Sequence, residues 1–83
     1  MEKLTSMVNI GREMAKKLTS VGIDSPEKLI KIGSKQAFAR LKKVYPRICL
    51  VHLYALEGAI TFTEFNRLPE DVKKDLKAFS DSL

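Results

Sequence analysis

The stretch Met7-Val8-Asn9-Ile10-Gly11-Arg12-Glu13-Met14-Ala15-Lys16-Lys17-Leu18-Thr19-Ser20-Val21-Gly22-Ile23 leaves this chain few ways to fold. It reads as a short helix ending at Val8, a tight turn through Asn9-Ile10-Gly11, and a second helix from Arg12 to Val21. Met14, Ala15, Leu18 and Val21 recur at the spacing of one helical face. Arg12, Lys16 and Ser20 fall on a different face, with Lys17 beside them. Gly22 suits the left-handed residue that ends a helix, and Ile23 can then pack back in a Schellman-type cap.

The rest of the chain carries helix signals and no strand pattern. Asp24-Ser25-Pro26-Glu27 is a start signal: a capping serine, a proline for the first helical position and an acid for the helix dipole. The helix it opens runs to about Ile32 with Leu29 and Ile30 inward, and Gly33 stops it. Ser34 is expected to cap the next helix, where Ala37, Phe38, Leu41, Val44 and Tyr45 form one apolar face. Pro46 breaks the chain. A helix from about Arg47 to Thr61 is then apolar on nearly every face, as befits the central helix of a small bundle, and Gly58 and Ala59 would admit a close neighbour. Phe62 and Phe65 lie in a connector and are expected to cover the core. Pro69 opens a last helix with Val72, Leu76 and Phe79 inward and Lys73, Lys74 and Lys77 outward. The expectation is an all-α domain spanning residues 1–83, with five to six short helices. Two helical hairpins, the second built around Tyr45-Pro46, would complete the core as a SAM-like bundle with a pseudo-duplicated hairpin.

Composition bounds the function. With 83 residues the prior is one domain with a modest core. Residues 1–50 hold eleven Lys and Arg against four acids, +7, whereas residues 51–83 hold four against six, −2. A basic half fits an anionic partner such as nucleic acid, and it fits an ordinary solvated surface as well. The single Cys49 allows no internal disulfide; its place in an apolar run predicts a buried, reduced thiol in a cytoplasmic protein. No secretory signal is visible at Met1-Glu2-Lys3, and the apolar run from Ile48 to Ile60 is too short to span a bilayer.

Catalytic chemistry finds no support. The one histidine, His52, stands three residues from Cys49, but no orienting acid or oxyanion donor accompanies the pair. His52 is expected to be buried and hydrogen-bonded. No ligand spacing for a metal and no glycine-rich nucleotide loop occurs, so no cofactor is expected.

The turn carries the remaining chemistry. Val8-Asn9-Ile10-Gly11 followed by Ala15 and Leu18 matches the helix-hairpin-helix pattern, with Asn9 in place of its first glycine. Ile10 would plug the gap between helices, and Gly11 and Ala15 would let them cross closely. Unpaired N–H groups at the start of the second helix form a natural phosphate site, to which Arg12 and Lys16 add charge. Asn tolerates the left-handed conformation, so the turn survives the replacement, but its side chain either projects where a phosphate would approach or bonds locally. Two readings stand open: a phosphate-contacting turn, or a hairpin kept for packing. The residues expected at a nucleic-acid contact are Asn9, Ile10, Gly11, Arg12, Lys16 and Lys17, with Arg40, Lys43 and Arg47 beside the Tyr45-Pro46 turn as a second group.

The whole chain resembles the C-terminal domain of the TfoX (Sxy) family. Asn9-Ile10-Gly11, Leu18 with Gly22-Ile23, Leu29 with Gly33, Ala37-Phe38-Arg40-Leu41, Pro46 with Cys49-Leu50, and Leu68-Pro69 with Leu76 carry the resemblance. Its most specific part is Leu53-Tyr54-Ala55-Leu56-Glu57-Gly58-Ala59-Ile60. The resemblance implies a helical domain related to helix-hairpin-helix folds, standing here without the separate N-terminal domain of its longer relatives. It further implies a regulator of natural competence working with the transcription machinery. The expected function is a non-enzymatic regulatory module whose partner is DNA or a transcription-related protein. The alternative is a module for protein interaction or self-association, with an exposed apolar patch around Phe62, Phe65 and Phe79.

Overall fold

The computed structural model describes residues 3–83. Among them are five α-helices: α1 (Arg12–Ser20), α2 (Pro26–Ile32), α3 (Ser34–Val44), α4 (Leu50–Thr61) and α5 (Glu70–Asp81). Two 3₁₀ turns, Leu4–Ser6 and Phe65–Arg67, complete the order, and the described residues contain no strand. The fold is all-α.

The caps explain most of the helix ends. After Ser20 the Gly22 N–H bonds the Thr19 carbonyl at 3.1 Å and the Ile23 N–H bonds the Leu18 carbonyl at 2.9 Å. That is a Schellman cap, with Gly22 at φ +87° and Leu18 and Ile23 both fully buried against each other's turn. Ser25 Oγ accepts the Lys28 N–H at 3.2 Å, and Pro26 occupies the first position of α2. Gly33, at φ +89°, lets the chain turn directly from α2 into α3.

Helix α4 is the centre. It packs on α2, α3, α5 and the second 3₁₀ turn, so nearly every face is covered. Leu53, Leu56 and Ala59 are fully buried among Leu18, Ile23, Leu29, Phe38, Leu41 and Leu76 in one continuous core. Removing this much apolar surface from water is the main force holding so small a chain together.

Several expectations are corrected. The helix expected over residues 2–8 shrinks to one 3₁₀ turn, because Met7 is already extended at φ −80°, ψ 142°; Glu2 lies outside the described residues. The first half of the duplicated hairpin is therefore a stub, and only α3 and α4 form a full pair. Helix α4 starts at Leu50 rather than Arg47. Lys42 Nζ bonds the carbonyls of Pro46 and Ile48 at 3.0 and 2.7 Å, and the Ile48 N–H bonds Tyr45, which holds this stretch as a turn. Ser34 does not cap α3; it is the first helical residue, buried, and its hydroxyl donates to Glu57 Oε1 at 2.6 Å. Ile30 and Val44 face outward, one helical step off the buried stripes of α2 and α3. Cys49 is exposed, because it lies just before α4 as its extended N-cap residue. Phe62 is 79% exposed, since it ends α4 in the left-handed conformation (φ 58°), which turns its ring away from the core.

Candidate nucleic-acid interface

The turn is built by its side chains pointing inward. Ile10 is buried and fills the gap beneath the turn. Asn9 takes φ 71°, the conformation a glycine would otherwise supply. Its amide then reaches across the molecule. Nδ2 donates to the Thr63 carbonyl at 2.9 Å and, at 3.4 Å, to that of Ala55, while Oδ1 accepts the Phe65 N–H at 3.2 Å. Asn9 thus pins the turn to the end of α4 and to the loop that follows. Its amide is thereby occupied by bonds within the chain.

Gly58 makes this staple possible. A Cβ there would overlap the Thr63 carbonyl and the Asn9 amide. The close neighbour admitted by Gly58 is therefore a loop and the Asn9 amide, not another helix.

Gly11 behaves differently. Its backbone is ordinary (φ −93°, ψ −177°), and a Cβ there would meet nothing within 4 Å. Neither crowding nor conformation inside the chain requires a glycine. It stands at the N-cap of α1 with no side chain to bond the first N–H groups of the helix. The start of α1 is left bare and exposed.

The cations sort into two populations. Lys28, Lys35, Arg67, Lys73 and Lys77 each pair with a carboxylate: Asp24, Asp75, Glu64, Glu70 and Asp81. Arg12, Lys16, Lys17, Arg40, Lys43 and Arg47 pair with none among the described residues, and the same holds for Lys3, Lys31, Lys42 and Lys74 elsewhere on the chain. Arg12, Lys16 and Lys17 lie along α1. Arg40 donates to the Val21 carbonyl at 3.3 Å, at the opposite end of α1 from the turn. Tyr45 brings the second group to the first: its hydroxyl meets Ser20 Oγ at 2.8 Å, and Lys17 Nζ stands 5.5 Å from its ring centre.

Two clefts run between α1 and the start of α4, and they meet at Lys17 and His52. One is lined by Asn9, Gly11, Arg12, Met14, Val51 and Phe65, the other by Tyr45, Pro46, Arg47 and Ile48. The structure thus joins the Asn9–Gly11 turn, Arg12, Lys17 and Arg47 along one surface, with Lys16 exposed on the same helix. Glu13 is the carboxylate of that rim. The sequence reading did not foresee His52 there. Its Nδ1 accepts the Cys49 N–H at 3.0 Å, which caps α4 and leaves the ring proton on Nε2. The ring is half-buried at the cleft and belongs to no core network. An N-cap followed three residues later by a side-chain acceptor is the signal that could have found it.

The model of the TfoX C-terminal domain family matches residues 1–80. The chain belongs to that family. Two crystal structures from Listeria monocytogenes share the fold closely. One, of an uncharacterized protein in a triclinic form, is 37% identical with a TM-score of 0.95, over 98% of this chain and 92% of that one. The other, of a protein of unknown function in a tetragonal form, is 38% identical with a TM-score of 0.92, over 95% of this chain and 96% of that one. No curated protein matches the chain. Among the described residues of this TfoX C-terminal domain, no helix is long and apolar enough to cross a membrane. None of its described His, Cys, Asp and Glu residues gather in a group able to hold a metal ion.

Proposed function

We propose that this TfoX C-terminal domain is a non-enzymatic, cytoplasmic binding module that holds nucleic acid by its phosphates. One observation carries the reading: Arg12, Lys16 and Lys17 on α1 and Arg47 at the Tyr45-Pro46 turn have no carboxylate partner among the described residues, and they lie along the surface that begins at the bare helix start at Gly11. Unpaired N–H groups at a helix start favour a phosphate, and nearby Arg and Lys displace its counterions. The contact residues are Gly11 through its backbone, with Arg12, Lys16, Lys17 and Arg47; Arg40 and Lys43 extend the positive field. Asn9 and Ile10 shape the turn from within. The setting that the family implies is regulation of transcription and competence.

Binding should be sequence-independent and fall steeply with salt, with a log–log slope of about −3 to −4 for four phosphate contacts. Replacing both Arg12 and Lys16 by Glu should abolish it. Gly11→Ser separates contact from folding. Serine is a good N-cap and should leave stability unchanged or raise it by about 0.5 kcal/mol, while its hydroxyl occupies the N–H groups that a phosphate needs. Absence of any shift with DNA at low salt would sink the proposal. Unchanged binding by Gly11→Ser would remove the turn from the contact.

A second reading has its own observation. Phe62 and Ile30, 79% and 47% exposed, line a separate apolar cleft with Met7, Val8 and Pro26. Such a patch suits a protein partner, such as a transcription protein, or a second copy of the chain. A strict monomer in sedimentation that retains no transcription protein would rule it out.

A further inference from the structure

We infer that the joined cleft between α1 and α4 is a seat for single-stranded DNA, held by its bases as well as its phosphates. The inference rests on the phosphate-binding reading above and adds what the bases would do there.

Three rings stand along the cleft. Phe65 lies at the Asn9–Gly11 end, 41% exposed, its backbone N–H fastened to Asn9 Oδ1. His52 stands where the two clefts meet, fixed by its Nδ1 bond to Cys49. Tyr45 lines the far end, with its hydroxyl tied to Ser20. The His52 and Tyr45 rings are each held by a hydrogen bond at the ring edge, and the Phe65 backbone is pinned by Asn9, so these groups have less freedom to lose on binding. Between them the floor is apolar, through Met14, Val51 and Ala55 at one end and Pro46 and Ile48 at the other. The rim carries Arg12, Lys17 and Arg47 against one carboxylate, Glu13, and is therefore net positive.

A cationic rim over an apolar, ring-bearing floor matches an anionic strand whose bases are free to turn inward. A duplex keeps its bases stacked inside and would meet the rim alone, leaving Phe65 and Val51 in water. Stacking on a ring tolerates any base, so the cleft is assigned no sequence preference. The Asn9 amide, the group best suited to read an edge, is already occupied. DNA rather than RNA is assigned because the floor between the rings is apolar apart from His52 Nε2, so it offers few polar partners to the ribose hydroxyls of a strand.

The experiment compares oligo-dT, oligo-U and a duplex of equal length by fluorescence anisotropy, on the wild-type chain and on Phe65→Leu, Phe65→Tyr and Arg12→Glu. Thermal melts confirm that each variant folds. The expected result is oligo-dT bound at least tenfold tighter than duplex. Phe65→Leu keeps an apolar side chain but loses the ring face, and should weaken oligo-dT binding roughly tenfold with little effect on duplex. Phe65→Tyr should retain binding, and Arg12→Glu should weaken both ligands. Duplex bound as tightly as oligo-dT, or a Phe65→Leu variant that binds oligo-dT as the wild type does, overturns the inference and leaves the phosphate reading intact. Oligo-U bound tighter than oligo-dT overturns the assignment to DNA. Failure of all three ligands to bind overturns the phosphate reading and this one together.

Discussion

Asn9 shows how one residue can satisfy a motif and redirect it. A left-handed residue was required at that position, and Asn meets the requirement at φ 71°. Its amide then joins residues that are 54 and 56 positions away in the sequence. Asn9→Gly should keep the backbone and lose the bonds, lowering stability by about 1–2 kcal/mol; Asn9→Ala should lose both, about 2–3 kcal/mol. Asn9→Asp should be at least as costly, because it sets an acceptor against two carbonyls. Gly58→Ala tests the same staple from the other side. Helix propensity favours Ala by about 1 kcal/mol, but overlap with the Thr63 carbonyl and the Asn9 amide should outweigh it, for a net loss of about 1–2 kcal/mol. Urea denaturation measures all four. An Asn9→Gly variant as stable as the wild type would show that the staple contributes nothing.

At the scale of elements, local chemistry was legible wherever it is self-contained. Gly22, Ser25, Pro26, Gly33 and Pro69 mark helix ends through backbone rules that need no neighbour. Helix α2 offers a titration test. Lys28 donates a hydrogen bond to the Asp24 carboxylate at 3.0 Å and adds its charge, and together these hold the Asp24 carboxyl below its ordinary value. A depressed carboxyl contributes stability above the unfolded-state pKa, near 3.9, and that contribution is lost as pH falls through the folded-state value. Both side chains are exposed, so the effect on folding is small and the readout is the titration itself. Lys28→Met should raise the Asp24 midpoint, followed by NMR of its carboxyl carbon; an unmoved midpoint would refute the pairing in solution. The misread element boundaries have a shared cause. The start of α4 was displaced by the long side chain of Lys42 closing a turn over Pro46 and Ile48, and Ser34 was drawn inside α3 by Glu57 on another helix. Neither contact leaves a trace in local spacing.

Across the whole molecule, charge and stability pull against each other on α1. Arg12, Lys16 and Lys17 stand together with no described carboxylate paired to them, in a chain of net charge +5. Such clustering is mildly unfavourable for folding. Lys16→Glu should therefore leave stability unchanged or raise it by a few tenths of a kcal/mol, while weakening DNA binding severalfold. Added salt should raise the melting temperature and lower DNA affinity. Thermal melts and binding titrations over the same salt series check both, and a variant that loses stability and binding in parallel would count against a functional origin for the cluster.

Sequence by itself determined the all-α class, the turn at Asn9–Gly11, the central place of the helix expected over about Arg47 to Thr61 and the membership in the TfoX C-terminal family. The first three rest on periodicity and caps, which are local; the membership rests on the particular residues that carry the resemblance. Tertiary structure decided the rest: that Asn9 faces inward, that Gly58 serves a loop, that Gly11 is bare, and that Tyr45, His52 and Phe65 share a cleft with Arg12, Lys17 and Arg47. Each of these depends on which distant segment packs against α4, and sequence spacing carries no record of that. The helix-turn-helix stretch is thus the keystone of the fold through its side chains. The surface it offers a ligand is the backbone and the cations left over.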